Sequence, residues 1–235
     1  MRSDPTAGDT TEPGVGSGQV RSWRDDCPVV DSRRMLRLHR YTDPEKVRPI
    51  IRETAEQVAD LVADVLNIDG RYLRLPIAAC GDGLLRLDDG TEFACPAFDR
   101  LLGGCTEVIA FVLTLGPDLD ARVIKMIDDF EPLEALFSET ASWLTVEAAT
   151  RHLGSFLRGE LRRENLTIEH RMGPGYNYRA DGNGSAERVE WRLEEQGKLF
   201  ALFGDVELPV ELTASSVMKP KMSRSGIFGI APRRD

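Results

Sequence analysis

Between Pro44 and Leu66 apolar side chains recur at three- and four-residue steps: Val47, Ile50, Ile51, Val58, Leu61, Val62 and Val65. That spacing predicts a helix with one apolar stripe. Asp43 is placed to cap it, Pro44 suits its first position, and Asn67 and Gly70 close it. Extended segments follow at Tyr72 to Pro76, Leu84 to Leu87 and Thr91 to Ala94, with Asp89-Gly90 as a two-residue hairpin signal between the last two. Val108 to Leu115 reads VIAFVLTL, an unbroken apolar run that belongs at the centre of a sheet. Gly116-Pro117-Asp118 turns the chain into a helix to about Asp129, and a longer helix occupies Pro132 to Arg163. A strand near Thr167 to His170, a polar loop, a helix from Arg192 to Phe203 and closing strands around Val210 and Ile227 complete the pattern. Helices and strands mix without strict alternation, so the expected class is α+β: a single domain with a twisted, largely antiparallel sheet and packed helices.

Residues 1–25 break the pattern. They are rich in Gly, Pro, Ser, Thr, Asp and Arg, and are expected to form a disordered tail ahead of a domain at residues 26–235. The Gly14-Val15-Gly16-Ser17-Gly18 stretch is no phosphate loop, because no strand precedes it and no helix follows.

Charge and composition narrow the partners. A net charge of −9 over 235 residues argues against a nucleic-acid backbone or an anionic membrane surface. No apolar run approaches the ~20 residues that span a bilayer, and the N-terminus lacks a signal-peptide core, so the expected location is cytoplasmic. Cys27, Cys80, Cys95 and Cys105 form no C-x-x-C pair and read as reduced thiols. His39, His152 and His170 have no partner at metal-ligand spacing, and no H-E-x-x-H, G-x-S-x-G or G-x-x-x-x-G-K motif occurs.

Three features stand out. In Arg171-Met172-Gly173-Pro174-Gly175-Tyr176 the glycines allow close backbone approach, the arginine offers a carboxylate fork and the tyrosine a flat face; the same string also reads as a plain turn. Glu147 flanks the apolar stripe of the long helix one turn from Trp143, where it could meet an ammonium or sulfonium group, or simply pair with Arg151 at i+4. Leu212-Thr213-Ala214-Ser215 through Met218-Lys219-Pro220 to Ser225-Gly226 reads as strand and loop, with no chemistry of its own.

Taken in order, these features resemble the activation (reactivation) domain of vitamin-B12-dependent methionine synthase. The likeness rests on Arg171-x-x-Pro174-Gly175-Tyr176, the run from Trp191 through Gln196 to Phe203, Leu212-Thr-Ala-Ser215, Met218-x-Pro220 and Ser225-Gly226. The resemblance implies binding of S-adenosylmethionine, with Arg171 on its carboxylate, the backbone of Gly173 and Gly175 near its adenosine, Tyr176 as the loop aromatic and Glu147 on its ammonium. Asp31 is the nearest counterpart of a further N-terminal aspartate of the family. The family's ligand-holding tyrosines beyond the Ser225-Gly226 position have no counterpart in this sequence, which implies a thinner site. There is no D-x-H-x-x-G corrinoid motif; His170-x-x-Gly173 is a partial echo with Ile168 in the aspartate's place. Cobalamin is therefore expected only through a partner protein. The implied role is accessory to a methyltransferase: presenting S-adenosylmethionine to cob(II)alamin on a separate methionine synthase while a flavodoxin-like protein supplies an electron. Because the sulfonium is already activated, positioning suffices and no catalytic acid or base is expected. The alternatives are a docking module that binds a corrinoid protein without nucleotide, or an activator of another corrinoid methyl-transfer pathway. The polar residues between Tyr176 and Trp191 are an insertion relative to the family, read as a surface loop or lid.

Overall fold

The computed structural model describes residues 18–25, 30–43, 46–179 and 188–233. Their elements run β1 (Arg21–Asp25), α1 (Ser32–Leu38), α2 (Pro49–Val65), β2 (Ile68–Gly81), β3 (Leu84–Leu87), β4 (Glu92–Ala94), α3 (Phe98–Leu102), β5 (Glu107–Thr114), α4 (Pro117–Asp128) and α5 (Pro132–Leu161). Then come β6 (Leu166–Met172), β7 (Asn177–Arg179), β8 (Arg188–Glu190), α6 (Gln196–Ala201), β9 (Glu211–Leu212), β10 (Met218–Lys219) and β11 (Ser223–Pro232). Among the described residues seven strands form one sheet in the order β4-β3-β2-β5-β11-β6, with β1 beside β2. All its pairings are antiparallel, as the expected class requires. The pairs β7–β8 and β9–β10 stand apart from it.

The unbroken apolar run of β5 follows from its place between β2 and β11, with both faces covered. Its alternate side chains Ile109, Phe111 and Leu113 enter a core shared with α1, α2, α4 and α5. Val108, Ala110 and Val112 enter a second core under α3, α6 and the adjoining loops. The long α5 is buried through most of its length, and its polar positions are handled locally. Ser142, Thr145 and Thr150 donate their hydroxyls to the carbonyls of Ser138, Ala141 and Val146 one turn back. Across the sheet, the buried Arg74 on β2 holds Glu107 at 2.5 and 2.7 Å and Glu164 at 2.8 and 3.0 Å, tying β2 and β5 to the turn before β6.

Several expectations need correction. The expected tail overlaps β1, whose Trp23 is buried against the helical core while Arg21 to Asp25 pair with Tyr72 to Ile68; its earlier part, residues 1–17, lies outside the described residues. The second helix begins at Pro49, not Pro44: a proline inside the helix would lack the N–H its turn needs and strike the carbonyl four residues back, so Pro49 itself takes the first position. Asp43 makes no cap there, since Arg48 is the N-cap residue and supplies no side-chain bond. The helix expected from Arg192 to Phe203 is a 3-10 turn at Leu193–Glu195 followed by the short α6. The hairpin forms at the expected place, but its loop is the three residues Asp88-Asp89-Gly90 and not two, with Gly90 at φ +86° and Leu87 N–H donating to Thr91 O at 2.9 Å.

Candidate functional site

Strand alternation puts Arg171 of β6 and Arg224, Gly226 and Phe228 of β11 on the α5 side of the sheet. Phe228 lies opposite Arg171 in the register. Helix α5 can approach this edge because residue 154 is glycine: a Cβ there would meet Ile168 at 3.3 Å and Phe228 at 3.7 Å. Two turns back along the same face, Glu147 comes down over both arginines. Its carboxylate accepts from Arg171 at 3.2 Å and from Arg224 through the other oxygen. Glu147 thus pairs across the fold rather than with Arg151 on its own helix.

The Arg224 guanidinium lies over the Tyr176 ring, 5.3 Å from its centroid, in cation–π range. Trp143, expected to supply such a face, instead stands half exposed one turn before Glu147. Burial pushes the Arg224 guanidinium below its ordinary value; Glu147 pulls it back up and the charge of Arg171 adds to the depression. Its Nε is buried without a hydrogen-bond partner. A cavity of about 120 Å³ opens between Arg171, Tyr176, Tyr178 and Arg224.

The glycine loop is built into this edge from both sides. Gly175 has φ +81°, a conformation L side chains rarely adopt, and a Cβ there would meet Leu193 at 3.2 Å. Its N–H donates to Trp191 O at 2.6 Å, and Trp191 N–H returns a bond to Tyr176 O at 3.1 Å. Gly173 donates its N–H to the Tyr178 hydroxyl at 2.7 Å, and that hydroxyl donates to Gly173 O at 3.1 Å. A Cβ at Gly173 would crowd Ser225 O at 2.9 Å. Both glycine N–H groups are therefore already engaged, and the loop offers a ligand closeness of approach more than donors. Burial pushes the Tyr178 phenol up to about 12, with the Gly173 bond partly opposing it.

The Trp191-to-Phe203 run has a different job. Trp191 is fully buried, edge-on to Phe93 and Phe98 at 5.4 and 5.1 Å. Its Nε1–H donates to Glu195 at 2.8 Å, and the same carboxylate oxygen takes the Ala94 N–H at 2.9 Å. That motif anchors the glycine loop and β4; it does not face the cavity. The Thr213–Ser216 stretch is the β9–β10 turn, closed by Thr213 Oγ1 accepting from Val217 N at 3.0 Å. Asp31 caps α1, accepting from the N–H groups of Arg33 and Arg34 at 3.0 and 3.1 Å.

The structure thus brings Arg171, Gly173, Gly175, Tyr176 and Glu147 to one edge, and adds Arg224 and Tyr178, which sequence reasoning missed. Nothing in the local pattern marks Arg224, whose carboxylate partner lies 77 positions away. Within the insertion, Asn177–Arg179 and Arg188–Glu190 form the β7–β8 pair; residues 180–187 lie outside the described residues. Cys80, Cys95 and Cys105 are unpaired thiols, all pushed up by burial (Cys105 to about 11), and so poorly poised as nucleophiles. No helix among the described residues is long and apolar enough to cross a membrane.

This arrangement is a mixed α+β domain with an antiparallel sheet and a small polar cavity at its β6–β11 edge. Among solved structures, the chain is similar to the crystal structure of the MetH reactivation domain bound to AdoHcy, with a TM-score of 0.64 at 16% identity, over 98% of this chain and 85% of that one. No protein-family model matches the sequence, and no curated protein matches it.

Proposed function

We propose that this chain binds S-adenosylmethionine at the β6–β11 edge and acts as a reactivation component, presenting the methyl group to cob(II)alamin carried by a separate B12-dependent methionine synthase. A flavodoxin-like reductant supplies the electron. The observation that carries the reading is the meeting of Arg171 and Glu147, 24 positions apart, beside Tyr176. A guanidinium fork and a carboxylate are the partners that the two ends of an α-amino acid zwitterion require. On binding, the ligand's carboxylate takes Arg171 and its ammonium takes Glu147, replacing the internal pair one for one. The fold neighbour, whose crystal form holds AdoHcy, supports the same ligand class. A cavity of about 120 Å³ accepts only the amino-acid end, since pockets enclosing a small molecule run to ~300–1,000 Å³. The rest of the ligand lies along an open edge, as it must if its methyl group is to reach another protein's cobalt. The chain contributes position rather than acid–base chemistry.

Calorimetric titration with S-adenosylmethionine tests this. Saturable binding is expected for the natural chain and its loss in Arg171→Ala, whose half-exposed ion pair contributes at most ~1 kcal/mol to folding. A natural chain that stays silent at millimolar ligand, alone and with a corrinoid partner, refutes the proposal. The engaged N–H groups of Gly173 and Gly175 favour one second reading, a docking module that contacts the corrinoid protein without nucleotide. It predicts partner binding that Arg171→Ala leaves intact.

A further inference from the structure

Two guanidiniums, Arg171 and Arg224, share the single carboxylate of Glu147. The cavity's other lining residues add no charge, because the Tyr178 phenol stays protonated. The Arg224 side chain is only 12% exposed, its stem buried in β11 and its guanidinium fixed over Tyr176. It remains a cation there, since arginine does not deprotonate in proteins. Its buried Nε–H has no acceptor, and such a donor is satisfied by a lone pair and never by a cation.

We infer that Arg224 sets the charge preference of the site, so that it holds the neutral thioether S-adenosylhomocysteine more tightly than the sulfonium S-adenosylmethionine. This rests on the ligand class proposed above. The two molecules share one amino-acid zwitterion and one nucleoside and differ at sulfur, where the second carries a full positive charge. With the ligand's carboxylate on Arg171 and its ammonium on Glu147, those four charges cancel in pairs. Arg224 is then the unbalanced cation. Like-charge repulsion between that cation and a nearby sulfonium, at an edge of intermediate dielectric, makes the sulfonium bind about tenfold more weakly than the thioether. Arg224 is in this sense a specificity-determining residue, and its contact with Glu147 also keeps that carboxylate at the site when Arg171 turns to the ligand.

The test is titration of the full chain with each ligand separately, in the natural form and in Arg224→Lys and Arg224→Met. The natural chain and Arg224→Lys are expected to favour S-adenosylhomocysteine by about tenfold. In Arg224→Met the ratio falls toward one, chiefly through tighter binding of S-adenosylmethionine. On the natural chain alone the ratio also shrinks as salt is raised, a readout that needs no variant to fold. Equal affinities in the natural chain, a ratio indifferent to salt, or an unchanged ratio in a folded Arg224→Met would each overturn the inference while leaving the ligand class standing. Failure of the natural chain to bind either ligand would overturn both.

Discussion

Trp191 and Arg224 are both large side chains that carry a nitrogen donor into the protein, and they end in opposite conditions. Around Trp191 the indole is fully partnered: its N–H has Glu195, that carboxylate also takes the Ala94 N–H and the Lys198 ammonium, and two phenylalanine rings pack edge-on. Around Arg224 two cations divide one carboxylate, one donor is left over, and the cluster opens on a cavity. A satisfied buried polar network stabilises a unique structure, whereas one left incomplete is where a ligand has something to complete. Trp191 thus anchors this edge, whereas Arg224, on the separate strand β11, leaves it incomplete.

The largest effect expected from breaking this contrast is at the anchor. Trp191→Ala removes a fully buried indole and leaves Glu195 without its partner, which costs ~3–5 kcal/mol and lowers the thermal midpoint sharply in a melting experiment. A loss under 1 kcal/mol would mean that the loop is held by something else. Gly175→Ala comes next: it forces an L side chain into φ +81° against Leu193, for a cost of ~1–2 kcal/mol in denaturant titration, together with a displaced Tyr176 and weakened ligand binding. Last comes the titration of Tyr178, whose effect shows only at alkaline pH. The folded value of about 12 lies above the ordinary 10, so the protonated phenol stabilises the fold fully below pH 10, and that share disappears as the pH rises from 10 to 12. Ultraviolet titration should show a tyrosine resisting ionisation to about pH 12 that is missing in Tyr178→Phe. Ionisation near pH 10 would show that the hydroxyl is not held between Gly173 N–H and O.

Much of the frame was legible in the sequence because burial on two faces writes itself as an unbroken apolar run in β5, and burial on one face as the helical period of α2. Elements with only one or two buried side chains were not legible. In β1 only Trp23 reaches the core, so its composition reads as tail, and in α1 the cap Asp31 precedes a short, arginine-rich turn. At the site, Arg171, Gly175 and Tyr176 were visible as a compact string. Their setting was not. Glu147 had a sequence-local partner in Arg151 at the favourable i+4 spacing, and the tertiary fold overrode it with two arginines from other strands. Arg224 sits in a run otherwise read as a closing strand, and only the register of β11 against β5 reveals which way it points.

The proposed ligand site is the Arg171–Glu147–Arg224 cluster, with the Trp191 network as its support. A crystal structure of the chain grown with S-adenosylhomocysteine addresses this most directly. Expected are the ligand's carboxylate on Arg171, its ammonium on Glu147, the Arg171–Glu147 pair parted, and Trp191 unmoved against Glu195. A ligand bound elsewhere, with that pair still closed, would contradict it.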